Sequence, residues 1–402
     1  MIATVGGTDH LAVLGGEPAF RVPLHVGRPN IPDPARVLER IGQAMDRRWL
    51  THFGPLLREF ENEIAKTAGT RHCIALCNAS IGLQILVRAT GLRGEVILPS
   101  FTFVATAHTV RWEGLTPVFC DIDERTGNLD PAHVRKLITN RTSGLIGVHL
   151  WGHPAPTEAL DELAREHGLT LLYDSAHAIG SQHHGRPVGC FGTAEVFSFH
   201  ATKFINAFEG GAVVTNDDEL AARMRAVHNY GRTPDGNVAG LGTNAKMTEA
   251  AAAMGLTSLE HMPELIEVNS QRYERYLHGL DGIPGIRLRR PAPGERVNHS
   301  YAVLEVAAEA AGLARDELVS ALHAENVLAR THFHPGCHRT EPYLRSPHVH
   351  APLPLPHTEA LGERVVSLPT GTGISLAEVD VVCALIRTVV SHAPEVRRAV
   401  AG

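Results

Sequence analysis

The stretch Leu169-Thr170-Leu171-Leu172-Tyr173-Asp174-Ser175-Ala176-His177 reads as a short apolar strand that ends on an acid. In an open α/β sheet, ligands lie beyond the carboxyl ends of the strands, so an acid at that position faces the binding crevice. Aspartate after a strand also serves as a turn or helix cap, and the segment alone does not separate the two roles. Upstream, helical and extended patterns alternate: helix 56–68, strand 73–77, helix 80–90, strand 95–98, helix 103–112, strand 117–121, helix 131–139, strand 144–150, helix 156–167 and strand 169–174. Such alternation predicts a largely parallel sheet covered on both faces. Strands then crowd at 194–200 and 211–215, and helices follow at 246–259 and 261–279. Beyond Gly282 the rhythm changes to strands near 286–289 and 301–306, a helix at 315–324 and a Pro/His-rich stretch at 331–358. That stretch exceeds an ordinary connection, so a site wall or a mobile loop is expected there.

Composition bounds the rest. A chain of 402 residues exceeds the size at which one core usually divides, so a large domain with a smaller companion is expected. The boundaries read as an N-terminal arm over 1–30, a large domain over 31–280 and a smaller C-terminal domain over 281–402. A net charge of −6 with no domain-sized basic run gives no footprint for nucleic acid. Met1-Ile2-Ala3-Thr4-Val5-Gly6-Gly7 has neither the basic start nor the apolar core of a secretory leader, and no apolar run approaches a membrane span. A cytoplasmic protein with no membrane partner is expected. Six cysteines without a C-x-x-C pair read as buried reduced thiols. His332, His334 and His338 have a spacing from which zinc sites can be built, but no fourth ligand is identifiable. They are read as surface or substrate-loop histidines, and no metal is expected.

Chemistry enters with Ser198-Phe199-His200-Ala201-Thr202-Lys203, which continues the apolar run from Ala194 and is followed by Glu209-Gly210-Gly211 and the next strand. Lysine is ordinarily a solvated surface charge. In a tight connection between two core strands, desolvation instead favours the free amine, which attacks an aldehyde. Lys203 and Asp174 together supply what pyridoxal 5'-phosphate (PLP) requires: an amine for the aldehyde and a carboxylate for the pyridine nitrogen. A phosphate anchor would be a strand-to-helix turn with free N–H groups. Cys73-Ile74-Ala75-Leu76-Cys77 followed by Asn78-Ala79-Ser80 and a helical run offers one. Ser80 would add a hydroxyl; alternatively Asn78 or Ser80 is simply the helix cap.

These strings, with Gly240-Leu241-Gly242-Thr243-Asn244-Ala245-Lys246-Met247-Thr248-Glu249, Pro99-Ser100-Phe101-Thr102-Phe103, Pro335-Gly336-Cys337-His338-Arg339-Thr340-Glu341-Pro342-Tyr343 and Ser367-Leu368-Pro369-Thr370-Gly371, occur in the order that resembles the DegT/DnrJ/EryC1/StrS sugar aminotransferases. The resemblance runs over nearly the whole chain. It implies the aspartate-aminotransferase-like fold (fold type I), with a mostly parallel sheet in the large domain and an α+β C-terminal domain. It implies PLP as cofactor, with pyridoxamine phosphate as its amino-carrying form, and a homodimer with shared active sites.

By that resemblance Lys203 is the Schiff-base lysine and catalytic base, Asp174 the partner of the ring nitrogen, and His177 the neighbour of the ring hydroxyl. Ala79, Ser80 and Ser198 lie at the phosphate, and Phe103 stacks on the ring, although a core phenylalanine on a helix fits its composition equally well. Asn244 resembles the asparagine supplied by the neighbouring subunit. Relatives often flank it with aromatics and follow it with arginine, whereas Lys246 here offers a cation without the bidentate fork. His200, Lys246, Phe333 and His334 are candidates for substrate contact. The reaction implied is transfer of an amino group from glutamate to the 4-keto carbon of a nucleotide-linked, TDP-type 4-keto-6-deoxyhexose, for amino-deoxysugar and antibiotic biosynthesis. A 3-ketosugar aminotransferase is the alternative. A sugar dehydratase of this fold would carry histidine in place of Lys203, a non-catalytic regulator would tolerate loss of Lys203 or Asp174, and a histidine-ligated hydrolase would need a metal.

Overall fold

The computed structural model describes residues 11–346 and 349–401. Met1–Gly7, read above for a leader, and two residues of the 331–358 stretch lie outside them. Seven strands form the main sheet: β1 (His72–Leu76), β2 (Glu95–Pro99), β3 (Thr116–Cys120), β4 (Thr142–Val148), β5 (Thr170–Asp174), β6 (Ala194–Ser198) and β7 (Gly211–Thr215). Their order across the sheet is β1-β7-β6-β5-β4-β2-β3. Only β7 runs against its neighbours β1 and β6; the other pairings are parallel. The carboxyl ends of β1, β2, β3, β4, β5 and β6 therefore share one edge, and the amino end of β7 joins them.

Helices cover both faces. On one, Phe60, Ile64 and Leu256 pack on Phe197, Ala75 and Tyr173; on the other, Leu83, Leu86 and Val110 pack on Ile74, Val96 and Val213. Burial on both faces explains why the strands read as apolar runs rather than alternating ones. Some of the helices start on a side-chain cap. Asn78 accepts from the Ile81 N–H at the head of Ala79–Thr90, and Asp217 accepts from Leu220 at the head of Asp218–Val227.

Differences from the expected elements follow the same logic. The helix expected at 103–112 is α1 (Val104–Trp112), with Phe103 left outside in an extended conformation. The helix expected at 246–259 is Glu249–Glu260, because Thr248 caps it through the Ala251 N–H and leaves 245–248 extended. Helices at Pro34–Asp46, Asp218–Val227 and Leu376–Ser391 were not expected, although each has a side-chain cap.

The C-terminal unit holds a three-stranded antiparallel sheet of Ile286–Leu288, Ala302–Val306 and Val365–Leu368. Leu304, Val366, Leu368, Leu385 and Ile386 form its core, and Leu11, Phe20 and Leu24 pack into the same core. The two-residue strand Leu24–His25 pairs in parallel with Val327–Leu328. The first described residues thus belong to the packing of the C-terminal unit. The 331–358 stretch is partly ordered by short helices at Cys337–Arg339 and Glu341–Leu344, and His350 bridges to Val118 of β3.

Candidate active site

Strand register brings the three expected anchors to one edge of the sheet. Gly211, the first residue of β7, pairs with Leu76 on one side and Ser198 on the other. Asp174, the last residue of β5, pairs with Val196 of β6. The turn Asn78-Ala79-Ser80, the loop carrying Lys203 and the acid at 174 thus emerge side by side.

Asp174 is 6% exposed and has no ion-pair partner among the described residues. Its Oδ2 accepts from the Thr106 hydroxyl at 2.7 Å, and its Oδ1 from the Ala176 N–H at 3.1 Å. Burial pushes its pKa up; the Thr106 and Ala176 bonds and the Lys203 charge oppose that shift. Thr106 sits in the first turn of α1 and shares its hydroxyl with Thr102 at 3.1 Å. A buried carboxylate held by two donors yet lacking a cation is suited to a cationic ring N–H arriving with a ligand.

His177 lies three residues on. Its Nδ1 accepts from the Trp151 N–H at 3.2 Å, so the neutral ring carries its proton on Nε2. Burial, helped by the positive charge of Lys203, holds its pKa well below the ordinary histidine value. It is therefore a neutral donor. Its ring lies 4.7 Å from that of Tyr301 and parallel to Phe333 at 6.4 Å.

Lys203 is half-buried in the loop joining β6 to β7, and its Nζ donates to the Tyr301 hydroxyl at 3.2 Å. A narrow cavity is lined by His177, Ser198, Lys203 and Tyr301, among others. The lysine is thus aimed inward, not a solvated surface charge.

At the phosphate turn the capping role falls to Asn78, whose Oδ1 accepts from Ile81 at 2.9 Å. The Ser80 hydroxyl and the Ala79 and Ser80 N–H groups have no hydrogen-bond partner among the described residues. They stand at the positive end of a twelve-residue helix, a ready anion site. The turn lies against Gly211: a Cβ there would meet Ala79 N at 2.5 Å and Asn78 C at 2.6 Å. Ser198 is buried, and its Oγ accepts from the His200 N–H at 3.4 Å.

The remaining candidates divide. Phe103 is 58% exposed at the head of α1, which overturns the core-phenylalanine alternative and leaves its face free. Phe333 packs on Phe101 and lies beside His177. His334 is exposed. His200 is not among the cavity residues: its ring is engaged by Thr202 at 2.8 Å and Glu209 at 3.5 Å on the exposed side of the loop. Lys246 reaches Asn229 Oδ1 at 3.3 Å and lies over Tyr230 at 4.5 Å, and its backbone bridges to Leu76 at the carboxyl end of β1. Asn244 is exposed and pairs through its backbone with Asn229; the next residue, Ala245, accepts from the Cys77 N–H at 2.8 Å. Of the three loop histidines, His332 bonds Ser367 and His338 bonds Ser100 and Glu359.

Sequence reading missed Thr106, Tyr301, Trp151 and Gly211. Only Gly211, as the second of a Gly-Gly pair opening a strand, carried a local signal of close backbone approach.

The model of the DegT/DnrJ/EryC1/StrS aminotransferase family matches residues 33–387. The dTDP-4-amino-4,6-dideoxy-D-glucose transaminase of Shigella dysenteriae is 32% identical over 367 residues, which cover 91% of this chain and 99% of the relative. The dTDP-3-amino-3,4,6-trideoxy-alpha-D-glucose transaminase of Streptomyces venezuelae is 37% identical over 322 residues, covering 79% and 83%. Among solved structures, that of DesI in the presence of its TDP-sugar product superposes with a TM-score of 0.94 at 51% identity, covering 98% of this chain and 100% of that one.

Proposed function

Because the chain belongs to the DegT/DnrJ/EryC1/StrS aminotransferase family and has the PLP-dependent fold type I of its structural neighbours, we propose that it moves an amino group from glutamate to the 4-keto carbon of a TDP-linked 4-keto-6-deoxyhexose. The observation that carries this reading is the juxtaposition at one sheet edge of a buried Asp174 without an ion-pair partner among the described residues, the inward amine of Lys203 and the unpaired N–H groups at Ala79 and Ser80. These are the three separate chemistries that one PLP molecule requires.

Bound PLP supplies an aldehyde and a ring that withdraws electrons from the substrate carbon. Asp174 would hold the proton on the ring nitrogen, and this buried carboxylate would gain an ion-pair partner by doing so. His177 donates from Nε2 toward the ring oxygen. Ala79, Ser80 and Ser198 hold the phosphate, assisted by Asn244 of the other subunit of a homodimer. Phe103 covers one face of the ring. Lys203 would hold the aldehyde, and its freed amine would serve as the base that moves the substrate's proton. Phe333 and His334 border the substrate mouth, with Lys246 of the other subunit placed for the diphosphate. Residues 31–280 form the PLP-binding domain and 281–402 the smaller one.

The test is to incubate the enzyme with TDP-4-keto-6-deoxyglucose and glutamate and to locate the new amine by NMR. Amination at C4 is expected. A product aminated at C3, from a 3-keto substrate only, would instead favour the alternative suggested by the Streptomyces relative.

A further inference from the structure

We propose that Tyr301 is the positioning residue for the Lys203 amine in the part of the cycle when that amine is free, and that Asn298 fixes Tyr301 in place. The inference rests on the PLP-dependent reading above. In the reading above the Lys203 amine is released when the cofactor's aldehyde passes to a substrate, and the Tyr301 hydroxyl lies within hydrogen-bond reach of Nζ, at 3.2 Å. A lysine chain has four rotatable bonds, so a released amine needs a partner if it is to stay within reach of the carbon whose proton it moves.

Tyr301 comes from outside the main sheet, immediately before the strand Ala302–Val306 of the C-terminal unit. Its ring is buttressed by His177 at 4.7 Å and by His332 at 6.2 Å. The segment is pinned by Asn298, which has no exposed surface. Its Nδ2 donates to His177 O at 2.8 Å and Ile179 O at 3.0 Å, and its Oδ1 accepts from Ser300 N at 3.0 Å. Asn269 donates to its carbonyl at 3.0 Å. One amide thus ties the turn before Tyr301 to the backbone just after Asp174. The hydroxyl that receives the lysine and the carboxylate that holds the ring nitrogen are set by a common fixture. The close approach has a steric signature: at Gly152 a Cβ would meet Asn298 Oδ1 at 2.9 Å.

The experiment uses Tyr301→Phe, which keeps the ring and its packing. Two quantities are read. In cofactor-stripped protein, the rate at which an amine-reactive reagent labels Lys203 is followed by peptide mass analysis, with Lys246 as internal control. In the holoenzyme, the single-turnover rate with the amino donor is compared with its KM. The expected result is severalfold faster labelling of Lys203 with Lys246 unchanged, together with a single-turnover rate lowered roughly ten- to hundredfold at nearly constant KM, as for a misplaced reacting group. If either rate is unchanged, Tyr301 does not position the amine. Borohydride-reduced wild-type enzyme serves as the reference. Cofactor absent from Lys203 there would remove the underlying reading, whereas cofactor present with an unaltered Tyr301→Phe enzyme removes only the role of Tyr301.

Discussion

The Thr106 hydroxyl donates to Asp174 Oδ2 at 2.7 Å inside the protein, with neither residue appreciably exposed. It is the strongest influence holding down the pKa of a carboxyl that burial pushes up. Replacing Thr106 with valine keeps the shape and removes the donor. A hydrogen bond to a charged group is worth about 1.5–3 kcal/mol, so PLP affinity should fall roughly tenfold or more. Absorbance titration of stripped protein with PLP measures it; unchanged affinity would contradict the role of Thr106.

Asp174 makes a prediction about pH. Its pKa is raised in the folded protein, so between the ordinary aspartate value and the raised one the folded state binds more protons than the unfolded state. Stability of the cofactor-free protein from this group therefore falls as pH rises through that window, and the loss is complete above it. Asp174→Asn removes the buried charge. The variant should melt above wild type at neutral pH when both lack cofactor, by roughly 1–3 °C if about 1 kcal/mol is recovered. It should also lose PLP-dependent stabilisation. A lower melting temperature in the stripped protein would show that Asp174 stabilises the fold.

Gly211 tests the phosphate turn. Alanine there would place its Cβ 2.5 Å from Ala79 N, against backbone that has no side chain to swing aside. Gly211→Ala should cost roughly 1–3 kcal/mol of stability and displace the turn. Phosphate-dependent protection of the stripped protein against urea should fall in parallel. Normal protection would mean that the anion does not sit at Ala79 and Ser80.

Asn244 tests the shared site. Its side chain is exposed in one chain, so Asn244→Ala should leave folding intact while weakening cofactor retention severalfold on gel filtration. Retention equal to wild type would count against a contribution from the second subunit.

The sheet was legible because its strands are buried on both faces and read as apolar runs, so local pattern and tertiary structure agree. Asp174 and Lys203 were legible because a charged residue at the end of an apolar run is conspicuous. Thr106 and Tyr301 were not. A threonine in a helix and a tyrosine beside a strand fit ordinary packing, and their partners lie 68 and 98 residues away in sequence. His200 misled for the opposite reason: three residues from Lys203 it looked close to the chemistry, but the turn sends it to Glu209 on the outside. Lys246 and Asn244 were named from resemblance alone; in the single chain Lys246 contacts Asn229, Tyr230 and the end of β1 at Leu76, and Asn244 pairs with Asn229.

The central claim is that the Lys203 amine carries the cofactor. The measurement is borohydride reduction of the purified protein, proteolysis and mass analysis of the peptides. A reduced PLP adduct on the peptide containing Lys203 is the predicted result; an adduct on another lysine, or no adduct in protein supplied with PLP, would contradict it.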